Sequence, residues 1–94
     1  GGLKIGNDVS IAHASTIMTT SHTYQDTDVP IKYNSATQDP VEIKDDVWIG
    51  CGCRILSGVT INTRSVIAAG AVINKNVEAN TIVGGVPGKL IKKI

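Results

Sequence analysis

Ninety-four residues with a formal charge of +1 leave room for one domain with a modest core. The chain is 41% hydrophobic but only 3% aromatic, with no Phe, so its apolar content is Ile, Val and Ala, which favour strands over helices. The near-neutral balance, without aromatics interleaved among basic residues, argues against nucleic-acid binding, and no apolar run approaches the roughly 18 residues of a membrane span.

Gly1-Gly2-Leu3-Lys4 shows no secretory signal, so a cytoplasmic setting is expected. Ile5, Ile11 and Ile17 then recur every six residues. Six is a multiple of the strand period of two and not of the helical 3.6, so all three should share one face of extended chain. Residue 3 already belongs to a repeat and no cap precedes it. The expectation is that an N-terminal part of a longer chain is missing, or that another subunit covers this end.

From Ile17 to Ile43 the phase slips, because 26 residues are two more than a multiple of six. The stretch of about 18–42 is therefore predicted to leave the coil as an excursion loop, in keeping with Pro30, Pro40 and its polar clusters. Long loops on rigid scaffolds often carry function, and this one holds His22.

Ile43, Ile49, Ile55, Ile61, Ile67 and Ile73 form a second ladder, with Val47, Cys53, Val59, Ser65, Ala71 and Val77 four residues behind each. Val9 and Ser15 belong to the same second set in the first ladder. Turn formers fall between the two sets, among them Asp45-Asp46, Gly52, Gly58, Gly70 and Asn74 to Asn76. Each hexad reads as one short strand plus one corner. With three hexads per turn, residues 18 apart stack about 4.7 Å apart along a prism axis. The pattern fades through Val77 and Ala79, and about 85–94 should form a C-terminal cap that blunts the last strand.

The period, the His-bearing loop, Val47-Trp48-Ile49-Gly50, Ser65-Val66-Ile67-Ala68-Ala69-Gly70 and Val83-Gly84-Gly85-Val86-Pro87-Gly88-Lys89 together resemble the hexapeptide-repeat acetyltransferases. The similarity is greatest to their galactoside, maltose and polysaccharide O-acetyltransferase branch. The resemblance implies an all-β, left-handed parallel β-helix over residues 1–94, against the usual right-handed crossover rule. It also implies a homotrimer with active sites between subunits, acetyl-CoA as acyl donor, and a saccharide or other small hydroxyl compound as acceptor. An inactive trimeric scaffold or truncated fragment is the alternative.

By the same resemblance His22 matches the catalytic base, and Cys51 the position whose backbone N–H binds coenzyme A near the thioester. Trp48 would stand beside the pantetheine arm, and Ala69, one coil beyond Cys51, would continue a groove parallel to the axis. Asn74 and Lys75 would lie near the nucleotide end, with Lys89 and Lys92 at its phosphates, where lysine keeps charge but lacks arginine's bidentate geometry. His13 should be a surface residue. No metal is expected: two histidines are too few for a three-His zinc site, and Cys51 and Cys53 point to opposite sides. Gly84 to Lys89 is not a phosphate loop, because Leu90 follows the lysine where Ser or Thr is needed.

Overall fold

The structure, a computed structural model, describes residues 1–94. In chain order its strands are β1 (Leu3–Ile5), β2 (Ser10–Ile11), β3 (Thr16–Ile17), β4 (Thr20–His22), β5 (Ala36–Gln38), β6 (Val41–Ile43) and β7 (Trp48–Ile49). There follow β8 (Arg54–Ile55), β9 (Thr60–Ile61), β10 (Val66–Ile67), β11 (Val72–Ile73), β12 (Thr81–Gly84) and β13 (Lys89–Lys93). One 3-10 turn, Ile31–Tyr33, lies in the loop. No helix is long and apolar enough to cross a membrane.

The strands stack into a three-faced prism. β1-β6-β9 form the first face, β2-β7-β10-β12-β13 the second and β3-β8-β11 the third. Pairing is parallel between successive coils: Ile43 is in register with Ile61, and Ile49 with Ile67. Ile5, Ile11 and Ile17 align with Ile43, Ile49 and Ile55, so the register absorbs the loop as an insertion between first and second coils. Within the prism faces only β13 runs antiparallel, closing the free edge of β12.

The interior is the column that the spacing predicts. All six isoleucines of the second ladder are at most 2% exposed, and so are Val47, Cys53, Val59, Ser65, Ala71 and Val77. The buried hydroxyls are satisfied locally: Ser65 donates to Asn62 O at 2.7 Å and Thr81 to Glu78 O at 2.7 Å. The first ladder departs from expectation. Ile5 is 45% and Ile11 38% exposed, because the first coil has a neighbour on one side only. Val41 and Glu42, placed in the loop by the broken period, already belong to β6, and Val41 is buried.

The corners explain how so short a repeat turns. The third residue after seven of the nine ladder isoleucines takes a positive φ: Asp8, Ala14, Asp46, Gly52, Gly58, Arg64 and Gly70, the exceptions following Ile17 and Ile73. That left-handed conformation is where Gly, Asn and Asp are favoured. Ala14 and Arg64 hold it without such chemistry, so the stacked coils, not local preference, impose the bend there.

The outer surfaces of the faces differ. The first carries Lys4, Glu42 and Thr60, with Glu42 paired to Lys44 at 3.5 Å. The third carries Thr16, Arg54 and Val72. The second presents Trp48, Val66 and Ile82 in one row beyond Ser10, and Trp48 is 57% exposed.

Candidate functional site

His22 ends β4, one strand of an antiparallel hairpin in which it lies opposite Ala36. The hairpin leaves the prism at the corner between third and first faces. Asp39 ties it there, donating its N–H to Thr19 O at 2.9 Å and accepting from Gly58 N–H at 3.2 Å. The His22 ring is exposed, with Nδ1 at 2.7 Å from Thr23 O and Nε2 at 3.3 Å from Lys32 O. A carbonyl oxygen only accepts, so a neutral ring protonated on Nδ1 satisfies the shorter contact and keeps an unprotonated Nε2 facing Lys32 O. The Thr23 carbonyl is held in turn, since Thr23 N–H and Oγ1–H both donate to Ser35 O, at 2.9 and 2.6 Å.

Cys51 and Ala69 share a different corner, between second and third faces. They stack with His13, as Gly52 N–H donates to His13 O at 3.1 Å and Gly70 N–H to Cys51 O at 2.9 Å. From the second coil onward the residues here are small: Gly50-Cys51-Gly52, Ala68-Ala69-Gly70 and Gly84-Gly85. Close packing enforces this at Gly50, where a Cβ would sit 2.8 Å from Ala69 N. The backbone N–H groups of Cys51 and Ala69 have no acceptor within the chain. Unpaired N–H groups recur at Ser57 and Thr63, so they mark the corner geometry. What distinguishes this corner is the run of small residues on either side of them.

The expected groove is not a groove in one chain. Cys51 and Ala69 line no pocket. They form an open strip, because the corner of a prism is convex and a cleft needs a second wall. Cys51 is half-buried, and Cys53 is fully buried with its thiol toward Ala68 O at 3.2 Å. His13 is exposed, as expected.

Of the remaining residues, Asn74, Lys75 and Lys89 come together, lining one pocket with Glu78 and Gly88 where the solenoid ends. Lys92 stands apart, opposite Ile82 on the second face. Trp48 lines a separate pocket with Asp8, Asp46 and Arg64. His22 touches none of these, and its ring contacts lie within the loop. The sequence reading missed the carbonyls of Thr23 and Lys32, since every residue has one and only the fold selects which face a ring. Gly50 could have been singled out by its place just before Cys51 on the strip.

Comparison with known proteins follows the same lines. Residues 40–75 match the family model "Bacterial transferase hexapeptide (six repeats)". Galactoside O-acetyltransferase of Escherichia coli (strain K12) is 35% identical over 93 residues, covering 98% of this chain and 44% of that protein. A hexapeptide-repeat acetyltransferase of Vibrio cholerae O1 biovar eltor, solved with acetyl coenzyme A, is 37% identical with a TM-score of 0.88, over 97% of this chain and 49% of that one. A maltose O-acetyltransferase of Clostridium difficile 630 is 38% identical with a TM-score of 0.89, over 98% and 48%. The chain thus spans about half the length of these relatives. With its six-residue period, three-faced prism and these likenesses, the chain has the left-handed β-helix fold of the hexapeptide-repeat acetyltransferases it is similar to, and residues 40–75 carry their repeat.

Proposed function

We propose that this protein transfers an acetyl group from acetyl-CoA to a hydroxyl of a saccharide-like acceptor, in a homotrimer whose active sites lie between copies. The observation that carries this reading is the exposed His22 imidazole, oriented by Thr23 O on Nδ1 and by Lys32 O on Nε2. Such a ring takes a proton from a hydroxyl. The acceptor oxygen then attacks the thioester carbonyl carbon, and the Cys51 N–H donates to the oxyanion. When the carbon–sulfur bond breaks, the proton on Nε2 passes to the departing thiolate. While Nε2 holds that proton, Lys32 O lies within reach of its N–H at 3.3 Å, so both N–H groups of the imidazolium meet carbonyls.

The separation of the parts supports a site shared between copies. His22 rises from one corner of the prism and the Cys51–Ala69 strip runs along another, so a second copy's loop supplies the wall that the strip lacks. The apolar row of Trp48, Val66 and Ile82 on the adjoining second face suits burial against that copy. Asn74, Lys75 and Lys89 would meet the donor's nucleotide and phosphates, with Lys92 on the flank. The saccharide class rests on the two O-acetyltransferase relatives. A reducing cytoplasm suits the free thiols of Cys51 and Cys53.

Calorimetry with acetyl-CoA tests the donor site, and Ala69→Pro isolates one contact. Ala71 N–H donates to Ala68 O at 3.2 Å and Gly70 has φ of 75°, which places Ala69 at the turn position that proline favours. The substitution removes an N–H that the fold does not use. The melting temperature is expected to hold, while acetyl-CoA affinity falls by roughly two- to tenfold. Unchanged affinity would remove the strip from donor binding.

A further inference from the structure

His13, Cys51 and Ala69 occupy equivalent positions on the corner between second and third faces. Ile11 pairs with Ile49, Ala12 N–H donates to Ile49 O at 2.9 Å and Gly52 N–H to His13 O at 3.1 Å, so His13 lies opposite Cys51, one coil apart. Each of the three immediately precedes a left-handed residue, Ala14, Gly52 or Gly70, and so belongs to the same bend. We propose that Cys51 is a reversible modification site, where the disulfide of coenzyme A exchanges with the thiol and His13 takes the thiol proton. The inference rests on the donor-strip reading and deepens it.

The two free thiols differ in access. Cys53 is fully buried with Sγ toward Ala68 O, whereas Cys51 is half-buried and His13 is exposed. The side-chain sulfur bonds of the chain are those of Cys53, and its imidazole bonds are those of His22. Cys51 Sγ and both His13 ring nitrogens are thus unengaged. Positive charge is anchored at the same corner, since Arg54 Nη1 donates to Ala14 O at 2.8 Å and to Cys53 O at 3.1 Å. A base on the adjoining coil and a guanidinium tied to the neighbouring backbone are the surroundings in which cysteine reacts as an anion. No sequence neighbour of Cys51 supplies that base; the stacking of coils does.

The class of disulfide follows from the strip. If the Cys51 N–H meets the donor's thioester, the sulfur of a CoA moiety arrives beside Cys51. Exchange then balances without a further reagent. The Cys51 proton passes to His13, the thiolate attacks one sulfur of CoA disulfide, and the S–S bond of that disulfide breaks. The departing CoA thiolate takes the proton and is the reduced product, while Cys51 is oxidised to the mixed disulfide. The tethered CoA fills the strip and shuts out acetyl-CoA until another thiol reverses the exchange.

The test incubates the full chain with CoA disulfide at about pH 7 and follows intact mass. One CoA moiety should attach, dithiothreitol should remove it, and fragmentation should place it on Cys51, with none on Cys51→Ser. CoA disulfide should react at least about tenfold faster than glutathione disulfide, because the strip concentrates it beside the thiol, and acetyl-CoA should protect. His13→Gln should slow the reaction roughly tenfold at an unchanged melting temperature. Above about pH 9.5, where solvent alone ionises a thiol, the two rates should converge, which a structural defect would not allow. An inert Cys51, an adduct on Cys53, equal rates with the two disulfides or a His13→Gln rate equal to wild type would overturn the proposal. An inert Cys51 in a protein that binds and uses acetyl-CoA sinks this site and leaves the transferase reading standing. Selective attachment to Cys51 without any acetyl transfer does the reverse.

Discussion

Replacing His22 by Ala is expected to lower kcat for acetyl transfer by about 10²- to 10⁴-fold, the usual contribution of a positioned general base. The loss should fall on kcat. His22 hydrogen-bonds only within the loop and shares no pocket with Cys51, Ala69 or the Asn74–Lys75–Lys89 cluster, so donor binding has no reason to change. The fold should also survive, since the ring is exposed and the hairpin is held by Asp39 and Thr23. The measurement is acceptor-dependent release of CoA thiol, with acetyl-CoA affinity and sedimentation as controls. Turnover retained near the wild-type rate would take His22 out of the role, whatever the family pattern.

Ile61→Asp should abolish the folded state. Ile61 is fully buried on the first face, with Ile43 below it and Val77 above. The change forfeits roughly 1.5–3 kcal/mol of apolar burial. It also places a carboxylate in an aliphatic column, where each unsatisfied polar group adds several kcal/mol. Together these approach or exceed the ~5–15 kcal/mol by which a domain is stable. Ile5→Asp makes the same chemical change at a residue 45% exposed in the end layer, and its effect should be far smaller. Circular dichroism and urea denaturation of the pair separate a stacked column from a sheet that merely contains isoleucine. A native, cooperative transition for Ile61→Asp would contradict the packing described here.

Much of this fold was legible because one chemical regularity maps onto one geometric one. Six divides by the strand period, so a branched aliphatic every sixth residue can only face one side, and Ile43 to Ile73 do so without exception. The slip of two residues marked the excursion, although Val41 shows that a phase break locates a loop only to within a strand. Burial was less legible than direction. Ile5 and Ile49 occupy equivalent repeat positions, but neighbours on both sides exclude water from one and not from the other.

The site was legible by position and not by assembly. His22, Cys51 and Ala69 could be named from their motifs, yet stacking repeats 18 residues apart says nothing of whether a corner is concave. Nor does a sequence show that Asn34 closes the loop by donating to Asp26 O and Pro30 O, because that depends on which carbonyls the 3-10 turn brings to its amide. Ala14 and Arg64 make the same point for the backbone: their left-handed conformation comes from the coil around them.

The most direct measurement concerns the separation of His22 from the Cys51–Ala69 strip onto different corners. Two individually inactive variants, His22→Ala and Ala69→Trp, the latter filling the strip with an indole, are co-expressed and the mixed oligomers assayed. If each site takes its base from one copy and its donor strip from the next, random mixing should restore about a quarter of wild-type sites, as a heterologous ring interface requires. Mixed oligomers with no more activity than either variant alone would mean that base and strip act within a single chain, contrary to the geometry of the prism.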